Sequence, residues 1–170
     1  MPQDLIGKRI LGYVVRDVHG SGAFGTVYRV AKSNPSGEYV RAMKHIAIPT
    51  ETQYLAVLRT MGGDASKTDD YFRSMLDEVI REIQILNDLT EKEVPHIVRY
   101  YENDIVTSDS PRRYDVYILM EELTSLNQYL LTETFRVRDV LRMGGEILSG
   151  LEACHENGVC LLYTSPSPRD

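Results

Sequence analysis

Two runs of alternating β-forming residues flank a glycine-rich stretch, and this arrangement constrains the chain more than anything else in its sequence. Residues 13–18 lead into Gly20, Gly22 and Gly25, and residues 26–31 come immediately after. Valine and tyrosine at period two predict strands on both sides, joined as a hairpin with a glycine tip. The same G-x-G-x-x-G spacing occurs in dinucleotide-binding turns, but there it opens a helix. The β-branched and aromatic residues after Gly25 predict a strand instead. Without side chains at the tip, backbone N–H groups can approach a phosphate closely. Standing alone, the motif would read as an ordinary flexible hairpin.

Beyond the hairpin, the Asn34, Pro35, Ser36 and Gly37 cluster predicts a turn, and residues 39–46 a third strand that ends at Pro49. Residues 50–61 predict a short helix with Leu55, Leu58 and Met61 on one face. A longer helix carries Phe72, Met75, Leu76, Val79, Ile80, Ile83 and Leu86 at spacings of three and four, with Thr68 or Asp69 as its cap. Strands are predicted over 97–101 and 114–120, separated by a polar loop at 107–113. Helices are predicted over 125–131 and 136–156, the second weakened by Gly144 and Gly145. Three strands, a helix, two strands and then helices predict an α+β fold, with an antiparallel sheet and a packed helix leading into a helical part.

Within that frame two charged residues stand out. Alternation puts Ala42 and Lys44 on one face of the third strand, the face that a nucleotide under the hairpin would occupy. Small Ala42 leaves room for a purine, and Lys44 supplies positive charge for phosphates. A solvent-facing lysine is the commoner state for any single lysine. Glu82 falls in register with Met75, Val79 and Leu86, on or beside an apolar face where a carboxylate calls for a partner. Lys44 is the natural one. Glu78 is the rival on the same helix, and a solvated rim position is the plain alternative for Glu82.

These motifs, in this order, resemble the N-terminal lobe of a eukaryotic-type protein kinase. The resemblance matches Gly20, Gly22, Gly25 and Val27 to the glycine loop, Lys44 to the VAIK lysine, and Glu82 to the glutamate of the helix the family calls αC. It implies a five-stranded antiparallel sheet plus αC, leading into the first helices of a truncated C-terminal lobe. Lys44 would hold the ATP phosphates and pair with Glu82. Val18, Val27 and Ala42 would close over the adenine, with Met120 as gatekeeper and Glu121, Glu122 and Leu123 as hinge. Residues 100–102 and 117–124, with the long stretch between Lys44 and Glu82, are similar to Ser/Thr kinases of Gram-positive bacteria. The implied parts are an N-terminal extension (1–9), an N-lobe with hinge (10–123), and the start of a C-lobe (124–159).

Residues 160–170 depart from the family, which would continue toward His-Arg-Asp. They resemble translated sequencing-adaptor DNA, a non-native tail to be left out of fold reasoning. A natural Ser/Pro-rich tail is the alternative. No residue matches the catalytic Asp, or the Asn and DFG Asp that hold Mg2+ in a complete kinase, so no metal ligand is assigned and the 170-residue chain is expected to be catalytically incompetent. The parent protein would transfer the ATP γ-phosphoryl to Ser/Thr hydroxyls of protein substrates; a pseudokinase or nucleotide-responsive scaffold is the alternative.

Composition bounds the partners. A formal net charge of -6 argues against non-specific nucleic-acid binding. No run approaches about 18 apolar residues, so no membrane segment is expected. Two cysteines, Cys154 and Cys160, provide neither a disulfide framework nor a metal cluster, and a cytoplasmic location is the expectation.

Overall fold

A computed structural model of the chain describes residues 2–22, 24–109, 112–132, 134 and 136–159. The proposed adaptor-like tail at 160–170 lies outside these residues. After a 3-10 turn at Pro2–Leu5 come strands β1 (Arg9–Ile10), β2 (Tyr13–Gly22), β3 (Gly25–Asn34) and β4 (Gly37–Ile48). Next are helices α1 (Glu51–Thr60) and α2 (Ala65–Glu91), then β5 (Tyr100–Asp109), β6 (Arg112–Met120), α3 (Leu126–Thr132) and α4 (Val137–Glu156). The strands form one antiparallel sheet in the order β1-β2-β3-β4-β6-β5. Five are long. The sixth, β1, has two residues, too few for a periodic signal in the sequence.

The chain divides into two compact units: Met1–Gln84 with Tyr100–Leu123, and Ile85–Arg99 with Thr124–Asp170. In the first, the sheet is covered on both faces. One face carries Ile48, Tyr114, Val116 and Ile118 against Phe72, Leu76 and Ile83 of α2. The other buries Val15, Tyr28, Val30, Met43, Tyr117 and Leu119 beneath Leu5, Ile10, Leu11 and Tyr13. Double coverage explains why residues 116–119 are all buried or nearly so, where a one-sided strand would alternate.

The helices differ from the sequence reading at their ends. In α1, the Thr50 hydroxyl accepts the Gln53 N–H at 3.3 Å while the Gln53 side chain accepts the Thr50 N–H at 2.9 Å, a reciprocal cap. Tyr54 and Val57 turn toward the core, and Leu55 is exposed, so the packing face is rotated from the one predicted. Helix α2 starts before Thr68 and Asp69. Asp64 accepts the Lys67 N–H at 3.1 Å, whereas Thr68 is fully buried with its hydroxyl donating to the Asp64 carbonyl at 2.8 Å. Two polar residues with capping chemistry compete here, and burial takes the second into the helix.

The strand predicted over 97–101 begins only at Tyr100, and the loop predicted over 107–113 belongs largely to a β5–β6 hairpin. Thr107 pairs with Tyr114, Ser108 with Arg113, and Asp109 with Arg112. The polar run from Glu102 to Asp109 has little strand propensity of its own. Pairing with the apolar β6 decides it. In the second unit, α4 runs unbroken through Gly144 and Gly145. Lys92 donates to the Asn157 side chain at 2.7 Å, and Gly150 is buried beside His96. Val137, Leu141 and Leu148 are 77%, 71% and 68% exposed, which gives α4 an apolar outer face.

Candidate functional site

The glycine hairpin closes with Gly22 opposite Gly25. Gly25 has φ +115, and a Cβ there would sit 2.3 Å from the His45 carbonyl oxygen. Only glycine fits. Gly20 and Gly22 differ: a Cβ on either would meet nothing within 4 Å. The fold itself does not demand glycine at these two positions, so their bareness leaves the tip open.

Cross-strand pairing places the remaining candidates in two rows on the α2 side of the sheet. Val27 lies opposite Lys44, which lies opposite Ile118. Arg29 lies opposite Ala42, which lies opposite Met120. Direct cross-strand partners project to the same face. Lys44 Nζ is 3.5 Å from Glu82 Oε1. The Glu82 side chain is 55% exposed, so of the positions the helical periodicity allowed it takes the one beside the apolar face, at the rim. An ion pair this exposed contributes little to stability. What it supplies is placement of the ammonium.

Val18 is the exception among the sequence candidates. β2 shifts register twice against β3, between Val15 and Asp17 and again between Val18 and Gly20. The shifts put Val18 opposite Tyr28, a residue of the opposite core, and leave it 36% exposed. It therefore does not share a face with Val27 and Ala42. Each bulge adds one residue to a strand and inverts the alternation beyond it, which a period-two reading cannot anticipate.

A cavity of about 720 Å3 lies at the hairpin end of the sheet, with Gly22, Gly25, Lys44, Glu82, Met75 and Val79 among its lining. Val18, Gly20, Val27, Ala42, Met120, Glu121 and Leu123 do not line it. The structure thus groups Gly22 and Gly25 with the Lys44–Glu82 pair and with His45, Asp115 and Tyr117, and sets Ala42 and Met120 in a separate row farther from the tip. Beyond Met120, Glu122 forms an ion pair with Arg29 at 2.8 Å. Leu123 is 54% exposed. Among the described residues no group of three His, Cys, Asp or Glu side chains comes together as a metal site.

Sequence reasoning missed a polar cluster on the other face. His45 Nε2 is 2.7 Å from Asp115 Oδ1, Arg113 reaches the same oxygen at 2.9 Å, and the His45 ring stacks on Tyr117 at 4.9 Å. His45 and Asp115 are 70 residues apart in sequence, so only the β4–β6 pairing reveals them. Burial pushes the Asp115 carboxyl up, but hydrogen bonds from Arg113 and His45 outweigh it and hold the group below the usual carboxylate range. A carboxyl depressed in the folded state adds stability that is fully present above its unfolded pKa of about 3.9. That stability is lost as pH falls through the lower folded value. Asp115→Asn should therefore be less stable than wild type at neutral pH, with the gap closing on acidification. Urea unfolding across a pH series measures this; a gap that stays constant down to acid pH would contradict it.

The sequence matches the protein kinase domain over residues 13–162, most of its length, and the chain belongs to the protein kinase family. The fold is similar to a crystal structure of the PknI kinase domain of Mycobacterium tuberculosis, at 19% identity and a TM-score of 0.49. It is also similar to an alanine mutant of that domain, at 22% identity and a TM-score of 0.51. Each match covers 89% of this chain and 51% of the solved one, so the chain spans about half the length of those structures. At these identities the likeness concerns the fold. No curated relative matches the chain. The antiparallel sheet with α2 is the kinase N-terminal lobe, and α3 and α4 are helices of the C-terminal lobe. No helix among the described residues is long and apolar enough to cross a membrane.

Proposed function

We propose that this chain is the ATP-binding portion of a serine/threonine protein kinase, and that Lys44 and Glu82 act together in it. The observation that carries this reading is the 3.5 Å Lys44–Glu82 pair in the cavity bounded by Gly22 and Gly25. Phosphoryl transfer asks a protein mainly for positioning and for charge aimed at the phosphates. Lys44 supplies the charge. Glu82 holds the ammonium in place, and the hairpin brings backbone N–H donors to the same region. Ala42 and Met120 offer a small and an apolar surface for the purine, with Glu121 and Leu123 contributing backbone groups at its edge.

Residues 10–123 would form the N-lobe with its hinge, and 124–159 the beginning of the C-lobe. In the complete enzyme, residues not matched in this sequence would hold Mg2+, which would supply positive charge to offset that of the phosphates. Protein substrates and a cytoplasmic location belong to the same reading. The 170-residue chain itself is proposed to lack phosphotransfer, since no residue matches the base that accepts the substrate hydroxyl proton.

Titration calorimetry tests the proposal. The chain should bind ADP, and Lys44→Ala should weaken that binding by about tenfold, the effect of roughly 1.4 kcal/mol. Neither protein should release phosphate-transfer product from labelled ATP. Equal ADP affinity in the two proteins, or turnover in the wild-type chain above the Lys44→Ala background, would each count against the corresponding half.

A further inference from the structure

The Arg29–Glu122 pair connects parts of the first unit that the sheet joins only indirectly. Arg29 stands on β3, one strand out from Ala42; Ala42 stands on β4, one strand out from Met120; Glu122 lies two residues past Met120. The 2.8 Å contact between Arg29 Nε and Glu122 Oε1 therefore spans the strand that carries Ala42. It fastens the hairpin strand to the segment just beyond β6. Among the described residues strand pairing ends at Met120, and Leu123 is exposed.

We propose that Arg29 and Glu122 form a strap that positions the 121–123 backbone for the purine end of the nucleotide. Neither is a catalytic residue. The inference rests on the ATP-binding reading of the same site and assigns a positioning role to two side chains which that reading leaves unused. Fixing an edge segment before a ligand arrives lowers the ordering cost of binding. A planar guanidinium meeting a carboxylate is well suited to the task, because its orientation is set along with its distance. Both side chains are partly exposed, which limits the size of the effect.

The strap predicts a loss confined to one end of the ligand. In the full 170-residue chain, Arg29→Gln and Glu122→Gln should each weaken ADP binding by about fivefold. Binding of inorganic tripolyphosphate, which lacks the purine, should be unchanged. The two substitutions alter net charge in opposite directions, so a general electrostatic effect would move ADP affinity oppositely in the two variants. The exchanged pair, Arg29→Glu with Glu122→Arg, should restore ADP affinity.

Several results would overturn the strap. They are unchanged ADP affinity in both single variants, tighter binding when the pair is broken, an equal loss for tripolyphosphate, and failure of the exchanged pair to restore binding. Tighter binding would identify the pair as an obstruction. A wild-type chain that binds neither ADP nor tripolyphosphate would overturn the ATP-binding reading and the strap together. A wild-type chain that binds ADP beside unaffected variants would overturn the strap alone.

Discussion

Gly25→Ala is expected to destabilise the chain by several kcal/mol and to abolish ADP binding, while Gly22→Ala leaves stability close to wild type. The contrast arises from the surroundings of each new methyl group. At Gly25 it lies 2.3 Å from a backbone oxygen, that of His45, on a chain segment held in the β3–β4 ladder. No side-chain rotation relieves that overlap. A φ of +115 adds strain of order 1–3 kcal/mol for any residue with a Cβ. At Gly22 the methyl meets open space. Thermal or urea unfolding of the two variants measures the difference, and equal midpoints would contradict it.

Ile118→Ala is the second large effect. Ile118 is 1% exposed, packed between α2 and the sheet in the Phe72, Leu76 and Ile83 core, and lies directly opposite Lys44. Truncating a buried isoleucine costs about 2–5 kcal/mol, with the spread set by how far neighbours collapse into the gap. Collapse here would draw α2 inward, and Glu82 rides on α2. The variant should therefore lose stability in urea and also show a shifted ADP affinity. By comparison Ile105→Ala, at the partly buried margin of the same core, should show a smaller loss of stability and no change in binding. Similar losses in the two would show that the core does not concentrate its energy beneath the Lys44 row.

Much of the fold is legible in the sequence because local pattern and burial agree. The runs at 26–31 and 39–46 read as strands, and they are strands: burial alternates along 26–30, and the β-branched and aromatic residues of both runs suit a ladder. Phe72, Leu76 and Ile83 read as one helical face and pack as one. The failures come where partners far away in sequence decide. Glu102–Asp109 becomes a strand only because β6 offers it a ladder. Asp64 takes the cap from Thr68 because the core buries the threonine. At the site, Lys44 and Glu82 could be paired from alternation on one strand and periodicity on one helix. Arg29–Glu122 and His45–Asp115 could not, since no local period connects their members.

The two bulges of β2 also bear on how this hairpin can change length. Since β2 already accommodates an unpaired residue at two points, a residue gained or lost there can be absorbed by making or erasing a bulge. β3 has no such slack. It keeps unbroken register with β4 from Thr26–His45 to Asn34–Gly37. An insertion or deletion in it would turn Val27 and Arg29 to the wrong side and bring Tyr28 and Val30 out of their core. Homologues that differ in the length of this region should therefore carry their indels on the N-terminal arm of the hairpin.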